Sequence, residues 1–246
     1  MYKRQDRAVA ENDKVVVSVF VNPMQFGVGE DLESYPRDME RDSALCENAG
    51  AALIFHPQPE EMYHKDFSSF VDMNTLTKGL CGKTRPIHFR GVCTVVSKLF
   101  NIVQPDKAYF GQKDAQQLAV IRHMVSDLNF GIEIVGCPIV READGLAKSS
   151  RNTYLNEQER KAAVVLNQSL QAAQDLYENG ERSAAVLSAA IREKLAAEPL
   201  AKPDYVEIVD WNTLEPVETI QDSVLMAIAV YIGKTCLLYT SPSPRD

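Results

Sequence analysis

The amino-acid sequence predicts an α/β protein, in which a parallel sheet with helices between its strands is followed by a smaller C-terminal α+β domain. Two observations lead to this prediction. Short β-branched or aromatic runs alternate with helical patterns up to about residue 138, and strands spaced by helices form parallel βαβ units. Beyond Cys137-Pro138 the order changes to two helices followed by two strand-like segments. The predicted domains are therefore residues 14–138 and 139–235.

The first domain opens on a predicted strand, Val15–Val21, whose β-branched and aromatic residues are typical of a parallel strand buried on both faces. A helix over Asp38–Gly50 ends on a glycine suited to a left-handed cap. The remaining predicted elements are strand Ala52–Phe55, helix Val92–Val103, strand Lys107–Phe110, helix Lys113–Leu128 and strand Ile132–Val135.

The second domain begins with a helix that Asn156-Glu157-Gln158-Glu159 opens, because this residue order is typical of a capping box. A second helix follows Ser183 and carries leucine and isoleucine at helical spacing. Two strand-like segments, Tyr205–Asp210 and Val224–Tyr231, complete the domain. Helices followed by strands indicate an α+β arrangement.

Composition and charge narrow the function classes. The formal net charge of -8 and the sequence pI of about 5.1 disfavour nucleic acid or an anionic membrane as the main partner. The five cysteines are scattered, as expected for reduced thiols in a cytoplasmic protein. No apolar run is long enough to span a bilayer. The stretch GLCGKT is not a P-loop, because Thr77 stands where that motif needs its first glycine.

Lys113 stands in the stretch YFGQKDAQQL, where a predicted strand ends and a helix begins. Ligands of open α/β sheets bind beyond the carboxyl ends of strands, and a helix N-terminus presents N–H groups to anions. A cation at the positive end of a helix is unfavourable unless an anion lies nearby, so a bound phosphate would explain Lys113. A solvated lysine at an ordinary helix start is the alternative.

A second candidate is READGLAKSSRN, residues 141–152, where Lys148 to Arg151 place two cations and two hydroxyls in one short loop. Such a loop can wrap phosphate oxygens with charge-assisted hydrogen bonds. Serine and asparagine are also common turn and cap residues, which is the alternative interpretation.

Amide and basic side chains form a third candidate. Asn22 and Gln25 follow the first strand, where amides can hold a small hydroxylated or carboxylated substrate. The stretch KTRPIHFRGV adds Arg85 and His88 as possible lining of an anionic pocket. Asp42 is a candidate Mg²⁺ ligand, since Mg²⁺ prefers carboxylates and phosphate oxygens, although acids there also suit a solvated helix face.

Taken together, the segments FVNPMQF, YPRDMERD, RPIHFRGV, YFGQKDAQQL and DGLAKSSRNTYL resemble the pantoate–β-alanine ligase family, from about Lys14 to Thr235. The resemblance implies an ATP-dependent ligase on a Rossmann-like domain of the adenylate-forming nucleotidyltransferase type, usually a homodimer. Its substrates would be pantoate, β-alanine and ATP, the last with Mg²⁺.

The resemblance also assigns residues to each substrate. Pantoate would be bound by Asn22, Gln25, Arg85, His88 and Gln117. ATP would be bound by Gly111, Lys113, Asp114, Val140, Lys148, Ser149, Ser150 and Arg151, among which the catalytic residues are Lys113, Ser149, Ser150 and Arg151. Asp42 would be the acid associated with Mg²⁺.

The chemistry implied by the resemblance needs no side-chain nucleophile. Pantoate would attack the α-phosphorus of ATP and expel pyrophosphate, and the amine of β-alanine would then attack the acyl carbon and release AMP. The protein would position the reactants and neutralise phosphate charge. Neutral amides around pantoate would leave its carboxylate nucleophilic.

The sequence departs from the family pattern at both ends. None of the four histidines forms the HxGH-type pair that contacts ATP in the family, and no strand precedes Val15, so we expect impaired adenylation by this chain. We expect part of residues 1–13, and residues 236–246, to be non-native and leave them out of the predicted fold. Another nucleotidyltransferase of the same superfold and a non-catalytic nucleotide-binding fragment are the alternative functions.

Overall fold

The computed structural model describes residues 2–242, and the chain separates into two compact units. Unit 1 comprises the chain up to Thr77 together with Gly82–Gly111 and Gln117–Cys137. Unit 2 comprises Lys78–Cys81, Gln112–Gln116 and the chain from Pro138 onward. Among residues 2–242, none of the helices combines the length and apolarity needed to span a membrane.

The first 137 residues contain six α-helices and four strands among those that the structure describes. The helices are α1 (Tyr2–Glu11), α2 (Met39–Asn48), α3 (Pro59–Met62), α4 (Leu80–Thr84), α5 (His88–Val103) and α6 (Ala115–Asp127). The strands are β1 (Val16–Ser18), β2 (Leu53–Phe55), β3 (Lys107–Gly111) and β4 (Glu133–Cys137). Short 3₁₀ turns cover Pro23–Gln25 and Gln112–Asp114.

The strands of unit 1 pair in parallel, which confirms the predicted α/β class. β1 pairs with β2, with Val16 opposite Leu53, and β3 pairs with β4, with Lys107 opposite Glu133. In the described residues these are two separate pairs rather than one continuous ladder. Each pair is connected through helices, as parallel strands require.

The first strand differs from its prediction in length and burial. Only Val16–Ser18 of the predicted run Val15–Val21 is a strand, and Val16 is 39% exposed while its partner Leu53 is 52% exposed. The expectation that this strand is buried on both faces is wrong. Burial on both faces requires helices over both faces of a sheet. Val16 and Leu53 are paired opposite each other and so lie on one face, and that face of the β1–β2 pair is exposed in the described structure.

The helices of unit 1 begin and end for local reasons that the sequence indicates. Asp38 caps α2 by accepting a hydrogen bond from the Arg41 N–H at 3.0 Å, and Gly50 follows the helix with φ +84. α5 ends at Gln104, which is left-handed with φ 49 and precedes Pro105. α6 begins at Ala115 rather than Lys113, because the 3₁₀ turn occupies the positions before it.

Unit 2 packs three helices against an antiparallel sheet. After a 3₁₀ turn at Ser150–Tyr154, its elements are α7 (Glu157–Ala162), α8 (Val165–Glu178), α9 (Ala184–Ala196), β5 (Ala201–Asp210), β6 (Val224–Ile232) and β7 (Thr235–Pro242). The strand order is β5-β6-β7, and β6 is buried at all but one position. Both predicted caps are present: the Asn156–Glu159 capping box and Ser183 at the start of α9.

The chain ends take part in the fold as far as the structure describes them. Residues 235–242 form β7, which pairs antiparallel with β6 from Thr235 opposite Ile232 to Pro242 opposite Leu225. Leaving these residues out of the predicted fold was therefore wrong, as it was for the segment of α1. Leu237 and Tyr239 alternate along the strand and are both buried. This alternation gives β7 one apolar face, which packs into the core while its backbone pairs with β6. Residues 243–246 lie outside the described part.

Candidate active site

Asn22 is the most buried of the predicted site residues, with 2% of its surface exposed. Its Oδ1 accepts hydrogen bonds from the Met24 N–H at 3.3 Å and from the Tyr63 hydroxyl at 2.7 Å. Its Nδ2 donates to the Gly91 carbonyl at 3.0 Å and lies 3.4 Å from Gln25 Oε1. The amide therefore holds the turn Pro23–Gln25 against its neighbours within unit 1.

Gly91 allows this turn to lie directly on α5. A Cβ atom at position 91 would stand 2.4 Å from the Met24 carbonyl oxygen and 2.6 Å from the Gln25 Cα, closer than real Cβ atoms approach. Glycine thus permits backbone to pack on backbone here. Tyr63, the donor to Asn22, is itself buried enough that burial raises its pKa to about 12, so it stays a neutral donor.

The backbone of Gln25 is held by two of the predicted basic residues. Arg85 Nη2 donates to the Gln25 carbonyl at 3.2 Å, and His88 Nδ1 lies 3.0 Å from the same oxygen. Arg85 also forms an ion pair with Glu30, in which Nε donates to Oε1 at 3.0 Å and Nη2 to Oε2. Folding of unit 1 therefore brings together two predicted stretches of the sequence, one with Asn22 and Gln25 and one with Arg85 and His88.

The other predicted residues of unit 1 lie at element ends. Gln117 is in the first turns of α6 and half-buried, and Gly111 ends β3 with open space where its Cβ would be. Gln116, the neighbour of Gln117, is 5% exposed. Its side chain accepts a hydrogen bond from the Cys81 N–H and donates one to the Gly79 carbonyl, both within unit 2.

Asp42, the predicted Mg²⁺ ligand, lies in the first turn of α2. Within the described residues, no group of three or more histidine, cysteine, aspartate or glutamate side chains is arranged to hold a metal ion. Mg²⁺ can be bound by one or two carboxylates if phosphate oxygens complete its shell. A single carboxylate such as that of Asp42 would therefore depend on phosphate oxygens and water to complete a Mg²⁺ site.

Lys113 lies in the 3₁₀ turn between β3 and α6, and its side chain is 19% exposed. Its Nζ is 3.4 Å from Asp114 Oδ1, an adjacent and more exposed carboxylate. The turn is held by Thr240, whose single hydroxyl proton is shared between the carbonyls of Gln112 and Lys113, 3.1 and 3.2 Å from Oγ1. Unit 2 thus presents an ammonium group on a fixed backbone.

The second cationic candidate, also in unit 2, begins with the predicted Asp144-Gly145 turn. Gly145 has φ +91, and the turn is closed by hydrogen bonds from the Glu142 N–H to Leu146 and from the Gly145 N–H to Glu142. Asp144 braces it by accepting from the Leu146 N–H at 3.1 Å and from Arg160 at 2.7 Å. The turn predicted from the Asp-Gly pair is confirmed.

The residues after this turn form a short cap and a 3₁₀ segment. Lys148 is exposed; its N–H donates to the Val140 carbonyl at 2.9 Å and its Nζ lies 3.9 Å from Glu142 Oε2. Ser149 caps the segment by accepting from the Arg151 N–H at 3.3 Å, and Ser150 and Arg151 lie in its first turn. Lys148 to Arg151 are thereby gathered at the start of one 3₁₀ segment.

The hydrogen bonds that Asp144 accepts from Leu146 and Arg160 make the stability of unit 2 pH-dependent. Hydrogen bonds from Arg160 and Leu146 hold the pKa of Asp144 below its ordinary value of 3.8. A depressed folded-state pKa contributes stability above that ordinary value, which is lost as the pH falls through the folded-state pKa.

We expect Asp144→Asn to lower the free energy of unfolding by about 0.5 kcal/mol at pH 7 and by progressively less below pH 3.8. Denaturant unfolding at pH 7 and pH 3 measures this, with Asp204→Asn as the exposed control; an equal loss at both pH values would contradict it.

Sequence reasoning missed three residues that build the Asn22 turn. Gly91 lies inside α5, which begins at His88 and not at Val92 as predicted; had the helix been extended to His88, an isolated glycine within it would have indicated close packing. Tyr63 and Glu30 carry none, since each meets its partner across a long stretch of chain: Tyr63 is 41 positions from Asn22, and Glu30 is 55 from Arg85.

Relatives of known identity resemble nearly the whole chain. A family model for pantoate–β-alanine ligase matches residues 4–240. The pantothenate synthetase of Clostridium botulinum (strain Loch Maree / Type A3) is 58% identical over 232 residues, which are 94% of this chain and 83% of that protein. That of Clostridium acetobutylicum is 59% identical over 233 residues, covering 95% of this chain and 83% of the relative.

Solved structures show the same likeness. The crystal structure of pantothenate synthetase from Thermus thermophilus matches with a TM-score of 0.94 and 47% identity, covering 97% of this chain and 86% of that one. The pantoate–β-alanine ligase from Francisella tularensis, complexed with β-γ ATP and β-alanine, matches with a TM-score of 0.79 and 28% identity, covering 99% of this chain and 85% of that one. By its matched residues and by its identity to these relatives, the chain belongs to the pantoate–β-alanine ligase family.

Proposed function

We propose that the protein condenses pantoate with β-alanine to form pantothenate, using ATP and releasing AMP and pyrophosphate through a pantoyl-adenylate intermediate. The observation that carries this proposal is the amide-bearing turn of unit 1, in which the Gln25 backbone is fixed by Arg85 and His88. A turn held this firmly is suited to orienting a small hydroxy acid. The family membership and the ATP-bound relative support it.

In this proposal, unit 1 binds pantoate. Gln25 and Gln117 would offer amide groups, that of Gln25 with its Oε1 3.4 Å from Asn22 Nδ2. The amide of Asn22 bonds Gly91, Tyr63 and Met24 and builds the turn. Neutral hydrogen bonds orient the substrate without drawing charge from its carboxylate. The carboxylate oxygen therefore stays a competent nucleophile.

The cationic groups of unit 2 bind the phosphates of ATP in this proposal. Lys113 offers an ammonium group on a fixed turn, and Lys148 to Arg151 offer two further cations and two hydroxyls. Charge on the α-phosphate and on the departing pyrophosphate grows during adenylation, and fixed cations stabilise it. Mg²⁺ would arrive with ATP, and no step depends on a metal site of the chain.

Neither of the two proposed steps, adenylation of pantoate and formation of the amide, requires a covalent enzyme intermediate. A pantoate carboxylate oxygen attacks the α-phosphorus, and the bond from that phosphorus to the bridging oxygen of pyrophosphate breaks. The β-alanine nitrogen then attacks the acyl carbon, loses a proton, and the bond from that carbon to the AMP oxygen breaks. One pantoate oxygen therefore ends on AMP.

This oxygen transfer is the decisive experiment. The chain is incubated with pantoate labelled with ¹⁸O in its carboxylate, β-alanine, ATP and Mg²⁺, and the products are analysed by mass spectrometry. We expect equal amounts of AMP and pantothenate, with one ¹⁸O in each AMP. Formation of ADP, or of unlabelled AMP, would exclude a pantoyl adenylate; ATP cleavage that does not depend on pantoate would favour another nucleotidyltransferase.

If no pantoate-dependent product forms at any enzyme concentration, binding of ATP in calorimetry would instead support a nucleotide-binding fragment. Sedimentation tests the homodimer that the family resemblance suggests.

A further inference from the structure

We propose that Glu30 is a positioning residue of the pantoate pocket, which takes up the charge of Arg85 and keeps that guanidinium on the Gln25 backbone instead of on the substrate carboxylate. This inference rests on the proposed function of unit 1. Neither the sequence motifs nor the family resemblance assigns a role to Glu30.

The geometry around Arg85 is that of a two-point ion pair. Its Nε and Nη2 both donate to the carboxylate of Glu30, the first at 3.0 Å. Nη2 is shared with the Gln25 carbonyl at 3.2 Å. Such paired hydrogen bonds fix the plane of a guanidinium group as well as its position. Arg85 is thereby aimed at backbone on one side and at Glu30 on the other.

His88 completes the arrangement through both of its ring nitrogens. The Gln25 carbonyl can only accept, so His88 Nδ1, 3.0 Å away, carries a proton. The other ring nitrogen, Nε2, lies 3.4 Å from Arg85 Nη1, which can only donate. The carbonyl contact therefore places a proton on Nδ1. The guanidinium of Arg85 is positively charged, and the carboxylate of Glu30 balances that charge.

Glu30 is itself held in place by its backbone and by Arg85. Its N–H donates to the Gly27 carbonyl at 3.2 Å, which closes a turn directly after Phe26. Burial opposes ionisation of its carboxyl, but the hydrogen bond and charge of Arg85 and a backbone hydrogen bond from Gly27 outweigh it, and the pKa of Glu30 falls below its ordinary value. The side chains of Arg85 and Glu30 are only 22% and 25% exposed, so solvent screens the pair less than an ion pair at the surface.

The consequence for catalysis follows from the chemistry of the substrate. A guanidinium released from Glu30 can bind a carboxylate through two hydrogen bonds. This would tighten binding of pantoate in its ground state and reduce the nucleophilicity of the oxygen that must attack ATP. Interactions stronger in the ground state than in the transition state lower kcat. Glu30 therefore favours turnover at the expense of pantoate affinity.

The test compares Glu30→Gln, Arg85→Gln and the double variant with the unchanged protein. Pantoate affinity is measured by calorimetry and kcat by pantothenate formation. For Glu30→Gln we expect pantoate to bind about tenfold more tightly and kcat to fall about tenfold, the size of one charge-assisted hydrogen bond. In the double variant, where no guanidinium remains to be released, kcat should return to the value of Arg85→Gln alone. Glu30→Asp, which keeps the charge, should recover most of the turnover.

The control is Glu33→Gln, an exposed acid of the same loop, which should leave both quantities unchanged. A purely structural role for Glu30 would weaken pantoate binding, lower the unfolding temperature and add to the effect of Arg85→Gln; that pattern would overturn the inference. Unchanged affinity and kcat in Glu30→Gln would overturn it as well. If the unchanged protein binds and converts pantoate but the Glu30 variants do not behave as expected, the inference alone fails. If the unchanged protein binds no pantoate, the proposed function fails as well.

Discussion

Gly91→Ala is expected to destabilise unit 1 by about 2–3 kcal/mol, the range of overpacking in a well-packed interior. The added methyl group would stand 2.4 Å from the Met24 carbonyl oxygen, and the obstructing atoms are backbone, which cannot rotate away as a flexible side chain would. The turn Pro23–Gln25 must then leave α5, and the hydrogen bond from Asn22 to the Gly91 carbonyl is lost. Pantoate binding should fall below detection in calorimetry.

Thermal unfolding and calorimetry together check this result. A loss of this size corresponds to a fall in melting temperature of about 5–10 °C for a protein of this length. The matched control is Gly131→Ala, because a Cβ there meets nothing within 4 Å in the described structure and its backbone is not left-handed. If Gly91→Ala melts within about 1–2 °C of the control, the change expected for a surface substitution, the close approach of the two backbones is refuted.

Lys113→Ala is expected to reduce kcat/KM for ATP on the order of 10²-fold while leaving the fold intact, because one fixed cation on a reacting phosphate contributes roughly that much. The side chain extends from a turn whose backbone is held independently by Thr240, so removing the ammonium group leaves that turn in place. Its contact in the described structure, Asp114 at 3.4 Å, is an exposed neighbour that can be solvated. Affinity for ATP in calorimetry should fall with the rate.

Lys161→Ala is the control for the change in net charge. Lys161 is 75% exposed on α7 and forms an ion pair with Glu157, one helical turn earlier. Removing it changes net charge by the same amount and should leave ATP kinetics unchanged. Equal ATP use by the unchanged protein and Lys113→Ala would contradict the phosphate-binding role. A matching loss in Lys161→Ala would show that the effect is one of overall charge.

Local signals in the sequence predicted the elements well where short-range interactions decide them. The capping box at Asn156 and Glu159, the Ser183 cap and the Asp144-Gly145 turn all depend on residues close together in the chain, and all are present. Such contacts form within one turn of chain, so the amino-acid order is sufficient to specify them.

Predictions that depended on neighbours distant in sequence were less reliable. The run Val15–Val21 suggested a strand buried on both faces, yet burial depends on which elements pack over each face of the sheet, and the face that carries Val16 and Leu53 is exposed in the described structure. Residues 236–242 looked foreign to the family pattern, yet they pair with β6, because an alternating apolar segment can pair with an apolar neighbour.

The sequence by itself determined the α/β class, the family and the residue types around the two candidate binding regions. Only the tertiary structure decided what those residues do locally: the Asn22 amide is committed to Gly91 and Tyr63, and the charge of Arg85 is balanced by Glu30. The physical reason is that hydrogen bonding and charge balance depend on distances of about 3 Å between atoms. In the chain these partners stand between 41 and 69 residues apart, and only folding brings them together.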